Sequence, residues 1–423
     1  MCAAVTAGGF VAGAAFGPPD FRAFAAPLNL ALLALLALPC LLRALFPANP
    51  ALRFLGGPSF AAAVITFFVA FALWMGLVPQ LPPGALAREA AEGAGGLPAR
   101  LGLFGLTSSA PFAALYLALM ASLAASTAAG LRRPVRPVFV LNHLGLFLVL
   151  AAQGLGAADR ESHFMTVFEG RVEWRADAGT EGAEREDLPV ALRLDDFDLE
   201  EYPADLLLVG RETGKPLPEG RPAFYSPGAA AGSPGLPGWD LEILEYLPRA
   251  APAGGGSFAR AVMKASAQAV LVRARRAGGG GESFTGWLSP GNAMTPPAFL
   301  ALGEGPLLVM AAPLPRRFVS RVKAFTREGV EVEGAVEVNS PLTAGPWHVY
   351  QHGYDDGLGR LSPWSRFLLV KDRWRPLGRA GFVLWLLGSA GLALSVRRTA
   401  SVREAGGAAP AGPSPAGSGR EGA

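Results

Sequence analysis

Apolar residues in this chain gather into five long runs that contain no Asp, Glu, Lys or Arg. The runs cover residues 23–42, 60–78, 110–130, 137–158 and 380–396. A helix needs about 20 apolar residues to cross a bilayer, because lipid offers the backbone no hydrogen-bond partner. Four runs fit that length, and flanking residues that snorkel complete the fifth. The pattern therefore predicts a multi-pass α-helical membrane protein with about five transmembrane helices.

A cleavable signal peptide is the alternative interpretation of the N-terminus. Residues 1–22 have no basic n-region, and the run 23–42 ends without a small-residue cleavage site. We therefore expect the first run to be a retained helix.

Basic residues near the ends of the runs predict the orientation, because cytoplasmic loops of membrane proteins are enriched in Lys and Arg. The arginines that carry this signal are Arg132, Arg133 and Arg136 between the third and fourth runs, and Arg397, Arg398 and Arg403 after the fifth. We place both segments in the cytoplasm. Residues 159–379, the Pro/Gly-rich loop 79–109 and the N-terminus then lie outside.

The long insertion before the last run has the pattern of a mainly-β domain. Short segments rich in Val, Leu and aromatic residues alternate with Gly/Pro turns. The strand-like segments are RVEWRA, LPVALRLDDF, DLLLVG, WDLEILEYL, QAVLVRAR, PLLVMAA and GVEVEGAVEV. We expect an antiparallel sandwich or a similar all-β fold, with surface loops at 226–238 and 249–257.

The chain therefore divides into five parts. These are an N-terminal segment (1–58) with the helix 23–42, a three-helix part (59–158), the extracytoplasmic β-rich domain (159–379), the last helix (380–396) and a disordered cytoplasmic tail (397–423).

Composition agrees with a membrane protein and excludes several functions. Charged residues make up 17% and hydrophobic residues 51% of the chain, and the mean hydropathy is +0.32. The net charge of +3 partly reflects the cytoplasmic arginines, and no basic cluster with interleaved aromatics indicates a nucleic-acid partner. The chain has no Walker, G-x-S-x-G, H-E-x-x-H or calcium-loop motif, so the sequence leaves an enzymatic role uncertain.

Cysteine chemistry is not expected of this chain. Cys2 and Cys40 are separated by a membrane leaflet or more in this topology and have no Cys-x-x-Cys spacing. We expect them neither to pair nor to exchange thiols, so that any thiol relay comes from another protein. The chain also lacks the Cys-x-x-Cys-His motif of a c-type cytochrome.

Histidine is scarce, and His143 has the most unusual position. It lies in the fourth run, about 9 Å along the helix axis from the cytoplasmic end. An ionisable residue in hydrocarbon is costly and usually faces a protein interior or a pathway. Two interpretations stay open from position alone: a ligand, or a neutral histidine hydrogen bonded to a neighbouring helix together with Asn142.

The other histidines indicate structure rather than a metal site. His163 is expected at the surface or the interface. His348 and His352 would share one face of a strand, about 13 Å apart, which is too far for a common metal ion.

The segment RRFVSRVKAFTREGVEVEGAVEVNSPLTAGPWHVYQHGYD resembles the signature region of the ResB (CcsB) family of cytochrome c biogenesis proteins. In that family a Phe-x-Ser segment leads to a Val-Asn-x-Pro-Leu turn and a Tyr-Gln-x-x-Tyr strand. The matching residues are Phe318, Ser320, Val338, Asn339, Pro341, Leu342, Tyr350, Gln351 and Tyr354. We interpret the turn and strand as support for the fold before any contact with haem or apocytochrome.

The resemblance extends over about residues 53–396. Three segments are similar to the family's first three helices: the run 60–78 with the Pro-Gln that follows it, the run 110–130, and LNHLGLFLVLAAQGLG. The family's His-x-Gly motif falls on His143 and Gly145. The chain departs from the pattern in three ways. The helix 23–42 is additional, the soluble domain is compact, and the second family-like helix ends in Ala and Thr where many members carry Asn or Cys.

The resemblance implies a subunit of a system II cytochrome c maturation complex in the bacterial inner (cytoplasmic) membrane, with its soluble domain in the periplasm. The implied partners are a ResC/CcsA-type membrane protein, apocytochrome c and thiol-reducing proteins. The implied cofactor is non-covalent, transient haem b, held by His143 as an axial ligand and shared with the partner subunit. At most the chain is then part of a haem lyase complex. The alternative is a structural membrane anchor that presents a β-domain to an assembly partner without binding haem.

The arginine pattern yields a topology prediction. Alkaline phosphatase, which folds only outside the cytoplasm, should be active when fused after Ala251 and inactive when fused after Ala408. Measured activity normalised to fusion abundance checks this, and the reverse activities would overturn the orientation.

Overall fold

The computed structural model describes residues 1–16, 24–81, 98, 102–131, 137–178, 184–227, 236–278 and 281–406, with side chains in the last helix up to residue 394. Two compact units make up the chain. A helical unit comprises Met1–Arg160 and the chain from Asp372 onward, and a β unit comprises Glu161–Lys371. Arg132, Arg133, Arg136 and most of the loop 79–109 lie outside the described residues.

The helical unit has the helices that the apolar runs predict, and two shorter ones that they do not. The helices are α1 (Cys2–Phe16), α2 (Leu28–Leu45), α3 (Pro50–Leu55), α4 (Pro58–Leu77), α5 (Ala110–Leu131), α6 (Pro137–Gly154) and α7 (Arg375–Gly406). Within the described part of the chain, α2, α4, α5, α6 and α7 are long and apolar enough to cross a membrane. The five expected long apolar helices are therefore confirmed.

Helix α5 is the centre of this unit because it contacts α1, α2, α3, α4 and α6. Its second half is made of small residues, and Ala124, Ala125, Ser126, Thr127 and Ala128 are all buried. Small side chains let neighbouring helices approach closely, which strengthens the dispersion contacts between them. Such contacts matter most in lipid, where no hydrophobic effect drives helices together. The Ala- and Thr-rich end of this helix is thus a packing surface.

A polar cluster ties α2 to the rest of the unit. The Asn29 amide is fully buried and donates to Asp159 Oδ2 at 2.8 Å and to the Leu155 carbonyl at 3.1 Å. Trp374 Nε1 donates to the same Asp159 oxygen at 2.7 Å. A buried polar group is costly unless bonded, so this cluster holds the start of α2 at the end of α6 and the start of α7.

Glycines set the close packing of α6 against α7. A Cβ atom on Gly145 would lie 2.3 Å from Trp385 N, and one on Gly388 would lie 2.3 Å from Asn142 N. A Cβ on Gly381 would lie 2.8 Å from Val149 N. The helix backbones are therefore in direct contact, which only residues without a side chain allow.

The last helix is longer than its apolar run. It begins at Arg375 and ends at Gly406, whereas the sequence analysis predicts a helix at 380–396 and a disordered tail from residue 397. Residues 397–405 contain neither Gly nor Pro, so nothing in their sequence ends the helix before Gly406. The remaining tail, 407–423, lies outside the described residues.

The β unit is built from antiparallel strands, as predicted, although β3 and β7 are long, at 17 and 16 residues. The strands are β1 (Glu161–Phe168), β2 (Val172–Ala178), β3 (Arg185–Glu201), β4 (Leu206–Val209), β5 (Pro216–Leu217), β6 (Phe224–Tyr225), β7 (Trp239–Gly254), β8 (Ser257–Arg260), β9 (Ala267–Arg276), β10 (Ser283–Leu288), β11 (Leu300–Ala301), β12 (Leu307–Met310), β13 (Pro315–Thr326), β14 (Glu331–Glu337), β15 (Leu342–Ala344), β16 (Trp347–Tyr354) and β17 (Trp364–Lys371). All seven strand-like segments fall on strands.

Eight of these strands form a nearly closed sheet in the order β14-β13-β3-β2-β1-β17-β16-β15. The two edge strands, β14 and β15, are consecutive in the chain and are joined by a tight turn and one bridge between Glu337 and Ser340. All eight strands contribute buried residues to a single core, including Met165, Leu192 and Phe367. Side chains from one face thus fill the interior of a curled sheet.

The other strands form two smaller sheets, called here the smaller β layers. One sheet has the order β10-β9-β7-β8, and the other contains β11-β12-β4-β5 with β6 beside β4. Their inward faces share a core that includes Leu206, Val270, Leu288 and Leu308. The loop expected at 249–257 is instead the end of β7, the Gly254–Gly256 turn and the start of β8, since this glycine-rich stretch forms a hairpin.

The glycine packing predicts opposite effects of one added methyl group at two positions. Gly145→Ala should lower the free energy of unfolding by about 1–3 kcal/mol, because its Cβ would overlap the α7 backbone. Gly76→Ala in α4 is the matched control, because its Cβ would meet no atom within 4 Å and alanine favours a helix. Reversible unfolding in mixed micelles measures both variants, and equal stabilities would contradict the packing role.

Candidate functional site

His143 lies on α6 between two aromatic residues of the same helix face. Phe139 and Phe147 are one turn before and after it. The imidazole stacks on the Phe139 ring with centroids 3.9 Å apart. Phe147 is buried in the helical core with Met120 and Leu123 of α5. The histidine therefore occupies an apolar, half-buried position on the face of α6 that packs toward α5.

The hydrogen bond of His143 determines which ring nitrogen carries the proton. Nδ1 lies 3.0 Å from the Phe139 carbonyl oxygen, which can only accept a hydrogen bond. Nδ1 must therefore be the protonated nitrogen of the neutral ring, and Nε2 keeps its lone pair. No described group forms a hydrogen bond with Nε2. Metal-binding histidines commonly use this arrangement, in which one ring nitrogen donates to a carbonyl and the other is the ligand.

The neighbours of His143 have different roles from those the sequence suggests. Asn142 donates through Nδ2 to Ser389 Oγ of α7 at 2.7 Å, so it joins two helices and does not bond the histidine. Gly145 is covered by the α7 backbone, so its lack of a side chain serves helix packing. The second interpretation is a neutral histidine bonded to a neighbouring helix. The geometry differs, because His143 bonds its own helix.

The signature residues Ser320 and Gln351 form a buried polar chain in the eight-stranded sheet. Ser320 Oγ on β13 donates to Gln351 Oε1 on β16 at 2.7 Å. Gln351 Nε2 donates to the Gly353 carbonyl at 3.1 Å, which fixes the amide orientation. The Ser320 hydroxyl has one proton, so Ser365 Oγ on β17, 2.8 Å away, must be the donor to Ser320. The chain crosses the sheet interior between strands that are not neighbours, and it ties the two halves of the curled sheet together.

The aromatic signature residues pack at one end of the same sheet. Tyr354 lies between Phe197 and Phe318, at centroid distances of 5.1 and 5.4 Å. Burial raises the pKa of Tyr354, and the carboxylates of Asp356 and Glu201 raise it further. A hydrogen bond to the Asp356 carboxylate also raises this pKa, so the phenol stays neutral at physiological pH. Tyr350 is half-buried and alternates with the buried Val349 and Gln351, so it lies on the other face of β16.

The Asn-Ser-Pro turn closes the edge of the sheet. Glu337 and Ser340 exchange backbone hydrogen bonds of 3.1 and 3.2 Å around Val338 and Asn339. Asn339 has φ of +63°, the only non-glycine residue with positive φ among those described, which asparagine tolerates better than most residues. The turn is thus held by backbone bonds. Pro341 leads directly into β15, where Leu342 packs on the core.

The remaining histidines have separate structural partners. His163 Nδ1 lies 2.8 Å from Glu186 Oε1 and its ring contacts Trp347, so it is more buried than a surface residue. His348 Nδ1 lies 2.9 Å from Thr343 Oγ1. His352 is the extra residue of a bulge in β16 and its ring packs on Phe164. In the described ranges no three His, Cys, Asp or Glu side chains are grouped so that they could hold a metal ion.

The two cysteines lie in different parts of the helical unit. Cys2 is a buried thiol in α1, packed with Phe60 and Val64 of α4. Cys40 is a half-buried thiol in α2 that packs on the core beside α5. Both are free thiols in apolar surroundings.

Sequence reasoning missed three residues that the structure makes important. Ser365 is recognisable in retrospect, because it alternates in phase with the core residues Phe367 and Leu369 of β17. Arg360 lies in a short 3-10 helix (Gly359–Leu361) and Ser266 in the loop before β9, and the tertiary fold places both in the wall of a cavity of about 360 Å³ in the β unit. No spacing in the sequence indicates that placement.

Comparison with known proteins adds no assignment. A scan against protein-family models and a search of curated proteins found no match for this chain.

The positive φ of Asn339 predicts an order of stabilities. Asn339→Gly should be neutral or stabilising, whereas Asn339→Val should lower the free energy of unfolding by about 1–2 kcal/mol, because a side chain branched at Cβ is strained at this φ. Pro341→Ala and Asn339→Ala should also reduce the yield of folded protein. Val338→Ala is the control, because its side chain is exposed. Resistance to protease during heating measures the order, and equal resistance of the Gly and Val variants would contradict it.

Proposed function

We propose that this chain is the ResB-type membrane subunit of a system II cytochrome c maturation complex, which holds haem and delivers it together with a ResC/CcsA-type partner for attachment to apocytochrome c. The proposal combines the sequence resemblance with one structural observation. That observation is the tautomer of His143, which leaves Nε2 as an unprotonated nitrogen inside a helix long and apolar enough to cross a membrane.

The residues around His143 fit the axial ligand of a haem iron. Neutral imidazole is a normal haem ligand through Nε2. The Phe139 carbonyl holds Nδ1–H, which orients the ring and makes Nε2 more electron-rich. The flanking rings of Phe139 and Phe147 provide apolar surroundings that suit a porphyrin and exclude water. The iron would accept the lone pair of Nε2, while the vinyl groups of the haem are the part joined to apocytochrome cysteines.

The β unit would present the apoprotein or the partner subunit to that haem. Its signature residues support this role by building the domain: Ser320 and Gln351 connect strands across the sheet interior, and the turn at Asn339 closes its edge. A stable, nearly closed sheet is a rigid platform for binding another protein. In this proposal the β unit is periplasmic and the chain resides in the bacterial inner membrane.

The alternative function is a structural anchor that presents the β unit without holding haem. The burial of Ser320 and Gln351 favours this alternative, because buried signature residues serve the fold. The two functions differ in what they require of His143. Only the haem-holding function needs its free Nε2.

Replacement of His143 therefore tests the proposal. His143→Ala and His143→Gly, each copurified with the CcsA-type partner, should lose most of the haem Soret absorbance per complex and should yield less holocytochrome c. The variants should still insert and fold, because a small apolar side chain is tolerated in a transmembrane helix. Imidazole added to the medium should restore part of the haem retention of the Gly variant by occupying the position of the lost ring.

Leu144→Ala is the matched control, because it changes the adjacent residue of the same helix without touching the ring. Its haem content should equal that of the parent protein. Unchanged haem content and unchanged maturation in His143→Ala would contradict the ligand role. Normal maturation by a complex that contains no haem would instead support the anchor.

A further inference from the structure

The smaller β layers are an insertion in the eight-stranded sheet. They are carried by residues 202–314, which leave the larger sheet after β3 and return to it at β13. Because β3 and β13 are neighbouring strands, the two connections, 202–205 and 311–314, run side by side. One narrow pair of chain segments therefore joins the two parts of the β unit.

Two backbone hydrogen bonds hold the connections together. Tyr202 N donates to the Leu314 carbonyl at 2.9 Å, and Ala311 N donates to the Asp205 carbonyl at 2.8 Å. Pro203 lies between them and has no N–H, so the ladder of β3 is interrupted before β4 begins. The joint is thus fixed in position without being a continuous sheet, and a short paired segment of this kind can act as a hinge.

The two parts have separate apolar cores. One core lies within the eight-stranded sheet and the other within the smaller β layers. In the described β unit, strands that pack extensively on one another belong to the same part. Where the parts face each other there is a cavity of about 360 Å³, lined by Leu199 and Tyr354 on one side and by Ser266 and Pro290 on the other. An interface without a shared apolar core favours relative motion of its two sides.

Two basic side chains of the smaller β layers bridge this interface. Arg249 Nη2 on β7 lies 2.8 Å from Asp198 Oδ1 on β3. Lys264 Nζ, in the loop between β8 and β9, lies 2.6 Å from Asp196 Oδ1 on β3 and also contacts the Glu169 carboxylate after β1. These five side chains are between 35% and 45% exposed. Water and salt ions therefore reach the ion pairs, and pairs this exposed hold the two parts together only weakly.

We propose that the smaller β layers form a hinged module, which pivots on the connections 202–205 and 311–314 and uses the ion pairs of Arg249 and Lys264 as its latch. With the latch formed, the module lies against the second half of β3. When the latch dissociates, the walls of the cavity separate and Tyr354 becomes more exposed. The hinge goes beyond the proposed function and holds whether or not the chain carries haem, because all of its residues lie in the β unit.

Double electron–electron resonance on the full chain in detergent measures the hinge. Spin labels are attached at Ala301→Cys and Glu328→Cys, in a background in which Cys2 and Cys40 are replaced by serine. Both label positions are exposed, Ala301 on β11 of the smaller β layers and Glu328 in the turn between β13 and β14 of the larger sheet. The parent protein should give one narrow distribution of distances.

Two treatments should open the latch. Lys264→Met combined with Arg249→Met should broaden the distribution and shift its mean. About 1 M NaCl should act on the parent protein in the same way, because the Debye length falls to about 3 Å. Lys264→Arg retains the charge and should keep the parental distribution. Arg273→Met is the matched control, because it breaks an ion pair with Glu242 inside the four-stranded sheet and none across the interface.

The salt series needs no substitution in the latch, so it decides the outcome even where the double variant fails to fold. Unchanged distances in the folded double variant or in the parent at high salt would overturn the hinge. Equal broadening by Arg273→Met would also overturn it, since that effect would not come from the latch.

Discussion

A polar group in an apolar interior costs free energy unless another group of the protein bonds it, and both units of this protein are organised around that constraint. In the helical unit it joins Asn29 to Asp159 and Asn142 to Ser389, so that each pair fixes one helix against another. In the β unit it joins Ser365, Ser320 and Gln351 across the interior of the curled sheet. An apolar contact could slide, whereas these bonds require one arrangement, which gives the fold its specificity.

The same constraint separates residues that build the protein from residues that remain available to a ligand. Asn142 uses its amide nitrogen within the fold, although it lies next to the candidate site. His143 uses only one ring nitrogen in hydrogen bonds with described residues. The proposed ligand chemistry therefore rests on an atom that the fold leaves unbonded, since such an atom gains a new bond when a ligand arrives.

Close backbone contact is the second organising feature, and it explains several small residues. Gly145, Gly381 and Gly388 bring α6 and α7 together, and the alanines of α5 allow several helices to surround it. Where helices cross a membrane, small residues at their contacts matter more than hydrophobicity, because lipid is as apolar as a leucine side chain. The His-x-Gly spacing on α6 thus places two features on adjacent faces: a histidine whose Nε2 has no hydrogen bond to a described residue, and a glycine that packs on α7.

The sequence by itself determined the five long helices and seven of the strands. A run of some 20 apolar residues favours a helix, and a short Val/Leu-rich segment between glycines favours a strand. It also indicated His143, since an ionisable residue in an apolar run is conspicuous. The tertiary structure alone decided which nitrogen of His143 is free and that Gly145 faces α7. It also decided that Asn339 acts through its backbone, and that Ser266 and Arg360, some 90 positions apart in the chain, line one cavity. The reason is physical: hydropathy is a property of consecutive residues, whereas the partner of a polar atom depends on which distant segments the fold brings within about 3 Å.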